Sequence, residues 1–220
     1  MTRPQQTAYL DHAASTPMRS EAIAEMTSLM SAGAANPTGA HKLAREARKV
    51  LDRSREVVAA EFGADPGDVI FTAGGTEADN LAIFGVVEPG GGVAVCTSTE
   101  HHAVLHPVEH LGGRVVPVDQ RGLIDLDALT ATLDSDVKLV SVMLANNESG
   151  VVQPLDDVAE VVAQHAPNAV LHSDAVQAVT WLDVGQFVSR FDLVSISAHK
   201  FGGPQGTGAL IARSDIELTP

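Results

Sequence analysis

The sequence contains little cysteine, few aromatic residues and few basic residues. A single cysteine, Cys96, excludes an internal disulfide framework. Aromatic residues make up 4% of the 220 residues, so aliphatic side chains and alanine must fill the core. With 14 basic residues against 28 acidic ones, the formal net charge is −14. This charge argues against nucleic acid and against an anionic membrane surface as partners.

Long apolar runs are missing as well. None reaches the roughly 18 residues that a membrane span needs. The N-terminus, MTRPQQTAYLDHAAST, lacks the basic-then-apolar layout of a secretion signal. We therefore expect a protein that does not associate with membranes and is located in the cytoplasm.

Short runs of apolar, β-branched residues alternate with helical patterns along the whole chain. This alternation predicts one α/β domain, in which helices cover a parallel sheet. The predicted strands are 69–72, 93–97, 114–118, 138–144, 169–173, 192–197 and 208–212. The predicted helices are 21–31, 41–61, 77–86, 103–111, 126–133 and 155–165.

Polar residues that follow the predicted strands are the candidates for a binding site, because open α/β sheets bind ligands at the carboxyl ends of their strands. Gly75 and Thr76 follow strand 69–72 and precede a helix. Bare backbone amides and a hydroxyl there suit a phosphate, although Thr76 is equally suited to cap the helix. His101 follows strand 93–97, where its ring is placed to stack on a planar ligand; the alternative is a surface histidine.

Three more candidates follow two later strands. Asn147 offers a hydrogen-bonding amide after strand 138–144, or it serves only to make a turn. Asp174 follows strand 169–173, and a carboxylate buried there needs a partner such as a protonated pyridine nitrogen. The alternative for Asp174 is a helix N-cap. Gln177 lies three residues further on, so on a helical turn it points the same way.

Lys200 stands just after strand 192–197. A lysine amine attacks carbonyl groups once burial or cationic neighbours lower its pKa, although a loop lysine that faces solvent is the simpler reading. Ser197 and His199 beside it are donors for a phosphate. Gly202 and Gly203 behind it are expected to let the backbone pass close to a ligand. Taken together, the strand ends supply an aldehyde-reactive amine, a ring-nitrogen partner, a stacking ring, an amide and phosphate donors. This set predicts pyridoxal 5′-phosphate, with Lys200 bound to its aldehyde.

A zinc site is the rival interpretation of one segment. His106, Glu109 and His110 form the pattern H-x-x-E-H, which occurs in zinc proteins. We expect Pro107 to start a helix, which would leave His106 at the helix end. Because short patterns match often by chance, and a zinc site needs a further ligand and an open cleft, we do not predict a metal.

The chain resembles the cysteine desulfurases of the class V aminotransferase type, the group that supplies sulfur for iron–sulfur clusters. Seven matching stretches run in family order over nearly the whole chain: YLDHAASTP (9–17), NPTGAH (36–41), VIFTAGGTEADNLAI (69–83), TEHHAVL (99–105), LVSVMLANNESG (139–150), HSDAVQA (172–178) and SISAHKFGGPQGTGAL (195–210). The resemblance implies fold-type I, a three-layer α/β/α domain around a mainly parallel seven-stranded sheet, and a homodimer.

The resemblance also implies a role for each candidate residue. Lys200 would bind the cofactor aldehyde and move protons, and His101 would stack on the pyridine ring and act in acid–base steps. Asp174 would pair with the ring nitrogen, Gln177 would bond the phenolic oxygen, and Asn147 would lie beside the ring. The implied phosphate contacts are Gly75, Thr76, Ser197 and His199. The implied reaction converts L-cysteine to L-alanine and passes the sulfur, as a persulfide, towards an acceptor protein.

The sequence departs from the family pattern after the lysine. The persulfide cysteine of the family lies well beyond it, whereas Pro220 is only 20 residues past Lys200. We expect residues 1–15 to form an N-terminal arm and residues 16–220 the cofactor-binding large domain, without the small C-terminal domain. Cys96 reads as a buried strand residue, not as the nucleophile. Ser149 stands where the family usually has Ile or Val.

Two alternative functions remain open from the sequence. The missing nucleophile suits a non-catalytic remnant that acts as a dimerisation or binding module. The retained motifs also suit a selenocysteine lyase or another class V aminotransferase.

Overall fold

A seven-stranded sheet forms the centre of the computed structural model, which describes residues 8–33, 35–213, 216, 218 and 219. The order across the sheet is β1-β7-β6-β5-β4-β2-β3. Strands β2 to β6 run parallel, and β7 is antiparallel to both of its neighbours, β1 and β6. The strands are β1 (Val69–Thr72), β2 (Val93–Thr97), β3 (Arg114–Val116), β4 (Val137–Ser141), β5 (Val170–Asp174), β6 (Leu193–Ser197) and β7 (Gly208–Ala212).

Helices cover both faces of this sheet, as the α/β prediction requires. They are α1 (Ser20–Ser31), α2 (Lys42–Phe62), α3 (Gly75–Val87), α4 (His102–His110), α5 (Leu126–Thr132), α6 (Leu155–His165) and α7 (Val184–Phe187). Helix α7 and two 3₁₀ turns, Pro66–Asp68 and Ala198–Lys200, were not predicted, because three or four residues are too few to show a periodicity. None of the helices in the described part of the chain is long and apolar enough to cross a membrane.

The strand predictions hold in number and place, and their ends differ by a few residues. Strand β3 ends at Val116 instead of 118, because Val118 forms only an isolated bridge with Ile124. The assigned part of β4 ends at Ser141, and the following backbone continues to bond to β5 through Val142 and Leu144. The predicted N-terminal arm lies partly outside the described residues, since residues 1–7 are not among them.

Each face of the sheet has its own core. Alternate strand residues such as Leu139, Leu193 and Leu210 pack under α3 and α4. Their sequence neighbours, such as Val140 and Val194, point to the other face and pack against α2, α5, α6 and α7. This two-sided burial is why the strands read as continuous apolar runs. Helix α1 is different, since none of its residues is buried.

Helix α4 corrects the expectation about Pro107. The helix begins at His102, so Pro107 lies inside it and not at its start. A proline has no N–H to donate to the carbonyl four residues earlier, which leaves the carbonyl of Ala103 without its helical donor. The side chain of Asn80 on α3 replaces that donor, with Nδ2 lying 3.2 Å from the oxygen of Ala103. A tertiary contact therefore compensates for the proline.

Candidate active site

One cavity of about 360 Å³ lies at the carboxyl ends of the parallel strands. Its volume is in the range of small-molecule sites. All nine residues that the sequence predicted for the site line it: Gly75, Thr76, His101, Asn147, Asp174, Gln177, Ser197, His199 and Lys200. The residues come from the ends of separate strands, which the sheet topology brings to one edge.

Lys200 points into the cavity from the 3₁₀ turn that ends β6. Its Nζ donates to the carbonyl oxygens of Ala13 at 2.6 Å and Ala14 at 3.1 Å. Burial lowers the pKa of Lys200, and the carboxylates of Asp174 and Asp11 act in the opposite direction. The amine is therefore neutral more often than an exposed lysine at the same pH, and the neutral amine is the nucleophile.

The glycines behind Lys200 do not contact the cavity, which corrects the expectation about them. A Cβ on Gly202 would lie 2.5 Å from the Arg19 side chain, and the residue has a φ of +88°. A Cβ on Gly203 would lie 2.6 Å from the Cβ of Ala198. Both glycines are thus required by packing within the protein, and they hold the turn that presents Lys200.

Asp174 is the last residue of β5 and is only 5% exposed. Its Oδ1 accepts the backbone N–H of Val176 at 2.9 Å, in a turn and not at the start of a helix, so the N-cap alternative is wrong. Burial raises the pKa of Asp174, whereas the Val176 N–H, His101 and Lys200 oppose the rise. A cationic ring nitrogen in the cavity would favour the ionised form further.

His101 is the N-cap of α4 and also lines the cavity. Its Nδ1 accepts the backbone N–H of Ala103 at 3.1 Å. In the neutral ring the proton is therefore on Nε2. His101 is exposed, and the helix start fixes the orientation of its ring beside the cavity.

The two adjacent asparagines, Asn146 and Asn147, have different contacts. Asn146 builds the loop: its Oδ1 accepts bonds from the backbone of Glu148 and from the backbone and hydroxyl of Ser149. Its Nδ2 donates to the carbonyl of Thr99 at 2.9 Å. Asn147 instead lines the cavity. Ser149 thus has a polar role in this loop, where Ile or Val could not make the hydroxyl contact.

The N-terminus of α3 forms another side of the cavity. The N-cap is Gly74, without a side-chain bond, so the interpretation of Thr76 as the cap is wrong. A Cβ on Gly75 would lie 2.7 Å from Cγ2 of Val176, so only glycine lets the helix start approach this wall. The first N–H groups of a helix have no partner within it and bind anions. Ser197 Oγ lies 2.9 Å from His199 Nδ1 at the same end.

Six residues of the cavity wall were not predicted from the sequence: Asp11, Ala13, Ala14, Asp79, Met143 and Val176. Asp79 had a signal, because it lies three residues after Thr76 and so shares its face of α3. Asp11, Ala13 and Ala14 lie inside the quoted motif YLDHAASTP, to which no role had been given. The carbonyl of Ala13 accepts from Gln177 Nε2 at 2.8 Å as well as from Lys200. The N-terminal segment therefore closes one side of the site.

The rival zinc pattern lies on α4, where the rings of His102 and His106 are 4.8 Å apart. Among the residues that the structure describes, no three histidine, cysteine or carboxylate side chains are grouped so that they could hold a metal ion.

Comparison with known proteins assigns the family. The pattern of the family described as Aminotransferase class-V matches residues 8–219. The chain belongs to this family. Members of the class-V aminotransferases generally use pyridoxal phosphate.

Relatives of this chain are longer than the part that it matches. The chain is 43% identical over 220 residues to "Putative cysteine desulfurase IscS 1" of Bacillus subtilis (strain 168), with 96% of this chain and 58% of that protein covered. The solved structure "NIFS-LIKE PROTEIN" superposes with a TM-score of 0.90 at 34% identity, covering 96% of this chain and 60% of that one. The structure "SspA in complex with cysteine" gives a TM-score of 0.89 at 34% identity, covering 97% and 64%. The chain thus spans somewhat over half the length of these relatives.

The cavity fits the cofactor of the class-V family on three observations. Gly75 leaves the α3 N-terminus bare for a phosphate, since any side chain there would meet Val176. Asp174 is a buried carboxyl at the cavity wall whose ionised form needs a cation. Lys200 places an amine of lowered pKa in the same cavity.

Glu100, next to His101, is a buried acid that the sequence reading did not mark. Its Oε1 accepts the Met143 N–H and the Thr97 hydroxyl, both at 2.8 Å, and thereby joins the ends of β2 and β4. Its Oε2 has no hydrogen-bond partner among the described residues. Burial raises the pKa of Glu100 from 4.5 to about 8. The folded protein therefore holds a proton here that the unfolded chain releases.

We expect Glu100→Gln to flatten the pH dependence of stability. In the wild type the free energy of unfolding falls as pH rises from the unfolded pKa of 4.5 to the folded value of about 8. Glutamine keeps the acceptor for Met143 and Thr97 and cannot ionise. The variant should therefore be the more stable form by a few kcal/mol above about pH 8, and not below about pH 5. Urea unfolding at several pH values measures this, and a difference that stays constant with pH would contradict it.

Proposed function

We propose that this chain binds pyridoxal phosphate through Lys200 and forms the cofactor-binding part of a cysteine desulfurase. The observation that carries the proposal is the arrangement of one cavity, where the Lys200 amine, the Asp174 carboxyl and the bare α3 N-terminus face a common space. An amine, a pyridinium partner and a phosphate cradle are the three recognition elements that this cofactor requires.

The same arrangement suggests which residue holds which part of the cofactor. The amides of Gly75 and Thr76, with Ser197 and His199, would hold the phosphate. Asp174 would pair with the ring nitrogen, His101 would lie against the ring face, and Gln177 and Asn147 would bond at its edge. When bound, pyridoxal phosphate supplies an aldehyde for the amine and a ring that withdraws electrons from an attached amino acid.

Two groups of the chain can transfer protons in the proposed reaction. Nζ of Lys200, with its lowered pKa, takes up and returns a proton near neutral pH more readily than an exposed lysine. The second group is Nε2 of His101, since Nδ1 is engaged by the Ala103 N–H. The exposed side of the His101 ring is thus the acid–base side. Ala13 and Ala14 hold the lysine amine in place until a ligand enters.

The sulfur step needs a thiolate that Cys96 does not supply. Cys96 is 1% exposed within the core under α3 and α4, and burial raises its pKa. A thiol that is buried and protonated is a poor nucleophile. L-cysteine as the substrate is supported by the names of relatives such as "Putative cysteine desulfurase IscS 1".

A titration of the purified chain with pyridoxal phosphate, followed by L-cysteine, tests the proposal. We expect one cofactor per chain, a visible absorbance band, and a change of that band with L-cysteine but not with equal L-serine. L-selenocysteine as the better ligand would favour a selenocysteine lyase. No band with cofactor in excess would overturn the proposal and leave the binding-module alternative. Sustained alanine release that is lost in Cys96→Ala would overturn the statement about Cys96.

The partners and the location follow from the family resemblance. We infer a homodimer and a sulfur-acceptor protein for the whole protein, and a cytoplasmic location, which the single buried thiol supports. Light scattering of the purified chain tests whether this part of the protein is sufficient for the dimer. We expect a dimer, and a monomer would show that residues 1–220 alone are not sufficient.

A further inference from the structure

Four buried polar side chains form a row across the sheet beneath the cavity, which we call the polar layer: Ser141 of β4, His172 of β5, Ser195 of β6 and Asp79 of α3. The layer is 0 to 1% exposed. Nδ1 of His172 lies 2.8 Å from Ser141 Oγ, and Nε2 lies 3.0 Å from Ser195 Oγ. Nε2 also lies 3.6 Å from Oδ1 of Asp79. The layer therefore joins three strands to α3 inside the protein.

The polar layer lies between the apolar core and the cavity. Residues two apart in a strand point to the same face. Two residues after the polar layer, each of the three strands contributes a cavity residue: Met143, Asp174 and Ser197. Two residues before it, β4 and β6 contribute the core residues Leu139 and Leu193. The three strand residues of the layer thus lie directly beneath cavity residues, and Asp79 extends the layer to the cavity wall.

Among the residues that the structure describes, no cationic side chain acts on Asp79. Full burial lowers the pKa of His172 to about 3, so this imidazole is neutral at neutral pH. Oδ1 of Asp79 has no hydrogen-bond partner among the described residues. The acidic groups that act on Asp79 are Asp174 from β5 and Glu100 from the segment before α4, and both raise its pKa.

Asp174 has the opposite surroundings, although it borders the same cavity. The Val176 N–H donates to it, and the neighbouring side chains of His101 and Lys200 favour its ionised form. Burial and the neighbouring Asp174 carboxylate raise the pKa of Asp79, and only the Ser195 hydroxyl is a polar group acting against that rise. Of the two carboxyls, Asp174 is therefore the one that gives up its proton.

We propose that Asp79 is a positioning residue that stays uncharged, so that the negative charge beneath the cavity is carried by Asp174 alone. The inference rests on the proposed function, because it specifies the charge that meets the ring nitrogen. An ionised Asp79 would place two like charges beside each other in a medium of low dielectric constant, which would raise the pKa of Asp174 and compete for its cation. The neutral polar layer prevents that competition and fixes where a cationic ring nitrogen binds.

Infrared spectroscopy of the cofactor-free protein tests the charge state directly, since protonated and ionised carboxyls absorb at separate frequencies. At neutral pH, Asp79→Asn should remove one carboxyl equivalent from the protonated band and none from the ionised band. Glu100→Gln is the positive control: the pKa of Glu100 is about 8, so at neutral pH this variant should also lose one equivalent from the protonated band. Loss from the ionised band in Asp79→Asn would overturn the proposal.

Ser195→Ala gives a second test that does not depend on the folding of the Asp79 variant. The Ser195 hydroxyl lowers the pKa of Asp79, so its removal should shift the pH midpoint of the protonated band upwards. A downward shift would contradict the polar layer as described.

Adding pyridoxal phosphate separates this inference from the proposed function. We expect the Asp79 band to persist in the holoprotein. If cofactor binding adds absorption from an ionised carboxyl, that addition should be absent from the Asp174→Asn variant. If the cofactor binds and the Asp79 band disappears, the inference fails and the proposed function stands. If no cofactor binds, the proposed function fails, and the cofactor-free spectra still decide the charge of Asp79.

Discussion

Replacing Lys200 with alanine should abolish the visible absorbance band that pyridoxal phosphate forms with the chain. Lys200 supplies the only amine among the residues that line the cavity, so the variant has no group there to attack the aldehyde. The cofactor should then be held by its phosphate and ring contacts alone. We expect its affinity to fall by about 100-fold or more, which corresponds to about 3 kcal/mol. Absorbance titration and equilibrium dialysis measure the two effects.

Lys42→Ala is the control for this experiment. Lys42 lies on α2 with its side chain 81% exposed, and it forms an ion pair with Glu46 at 3.8 Å. Exposed pairs of this kind contribute little to stability. The control should retain the band and the wild-type affinity. A band of normal strength in Lys200→Ala would mean that another amine binds the aldehyde.

Asp174→Asn should produce the second large loss. The amide keeps an oxygen for the Val176 N–H, so the turn after β5 is preserved. It has no negative charge for a ring nitrogen, which therefore loses its proton and its partner. We expect cofactor affinity to fall by about 100-fold, since a buried charged hydrogen bond is worth a few kcal/mol. The absorbance of the remaining bound cofactor should also shift with the ring protonation state.

Asp127→Asn makes the same chemical change at an exposed position in the first turn of α5. It should leave both affinity and spectrum unchanged. If Asp174→Asn behaves like this control, the ring nitrogen does not meet Asp174, and the orientation proposed for the cofactor is wrong.

The sequence predicted those parts of the site that local patterns encode. The strands that precede Lys200 and Asp174 are short apolar runs, and a run that ends in a polar residue marks a strand end. Parallel topology then brings the ends together, which is why nine separate residues line one cavity. The core faces were equally predictable, because each central strand contributes apolar residues to both faces of the sheet.

Features that depend on distant contacts were not predictable. The bonds from Lys200 to Ala13 and Ala14 span more than 180 residues, and no local pattern specifies them. Pro107 inside α4 was misread because its compensating donor, Asn80, belongs to another helix. The polar layer was not predicted for the same reason. Asp79 lies beside His172 only because of the strand order and the position of α3, and no local pattern specifies these.

Chemical trapping tests the central claim most directly. The chain has four lysines, Lys42, Lys49, Lys138 and Lys200. Borohydride reduction in the presence of pyridoxal phosphate fixes the cofactor to the amine that holds it, and peptide mapping by mass spectrometry then locates it. The cavity geometry predicts one cofactor per chain, on the peptide that contains Lys200. A label on any of the other three lysines instead, or no label at all, would contradict it.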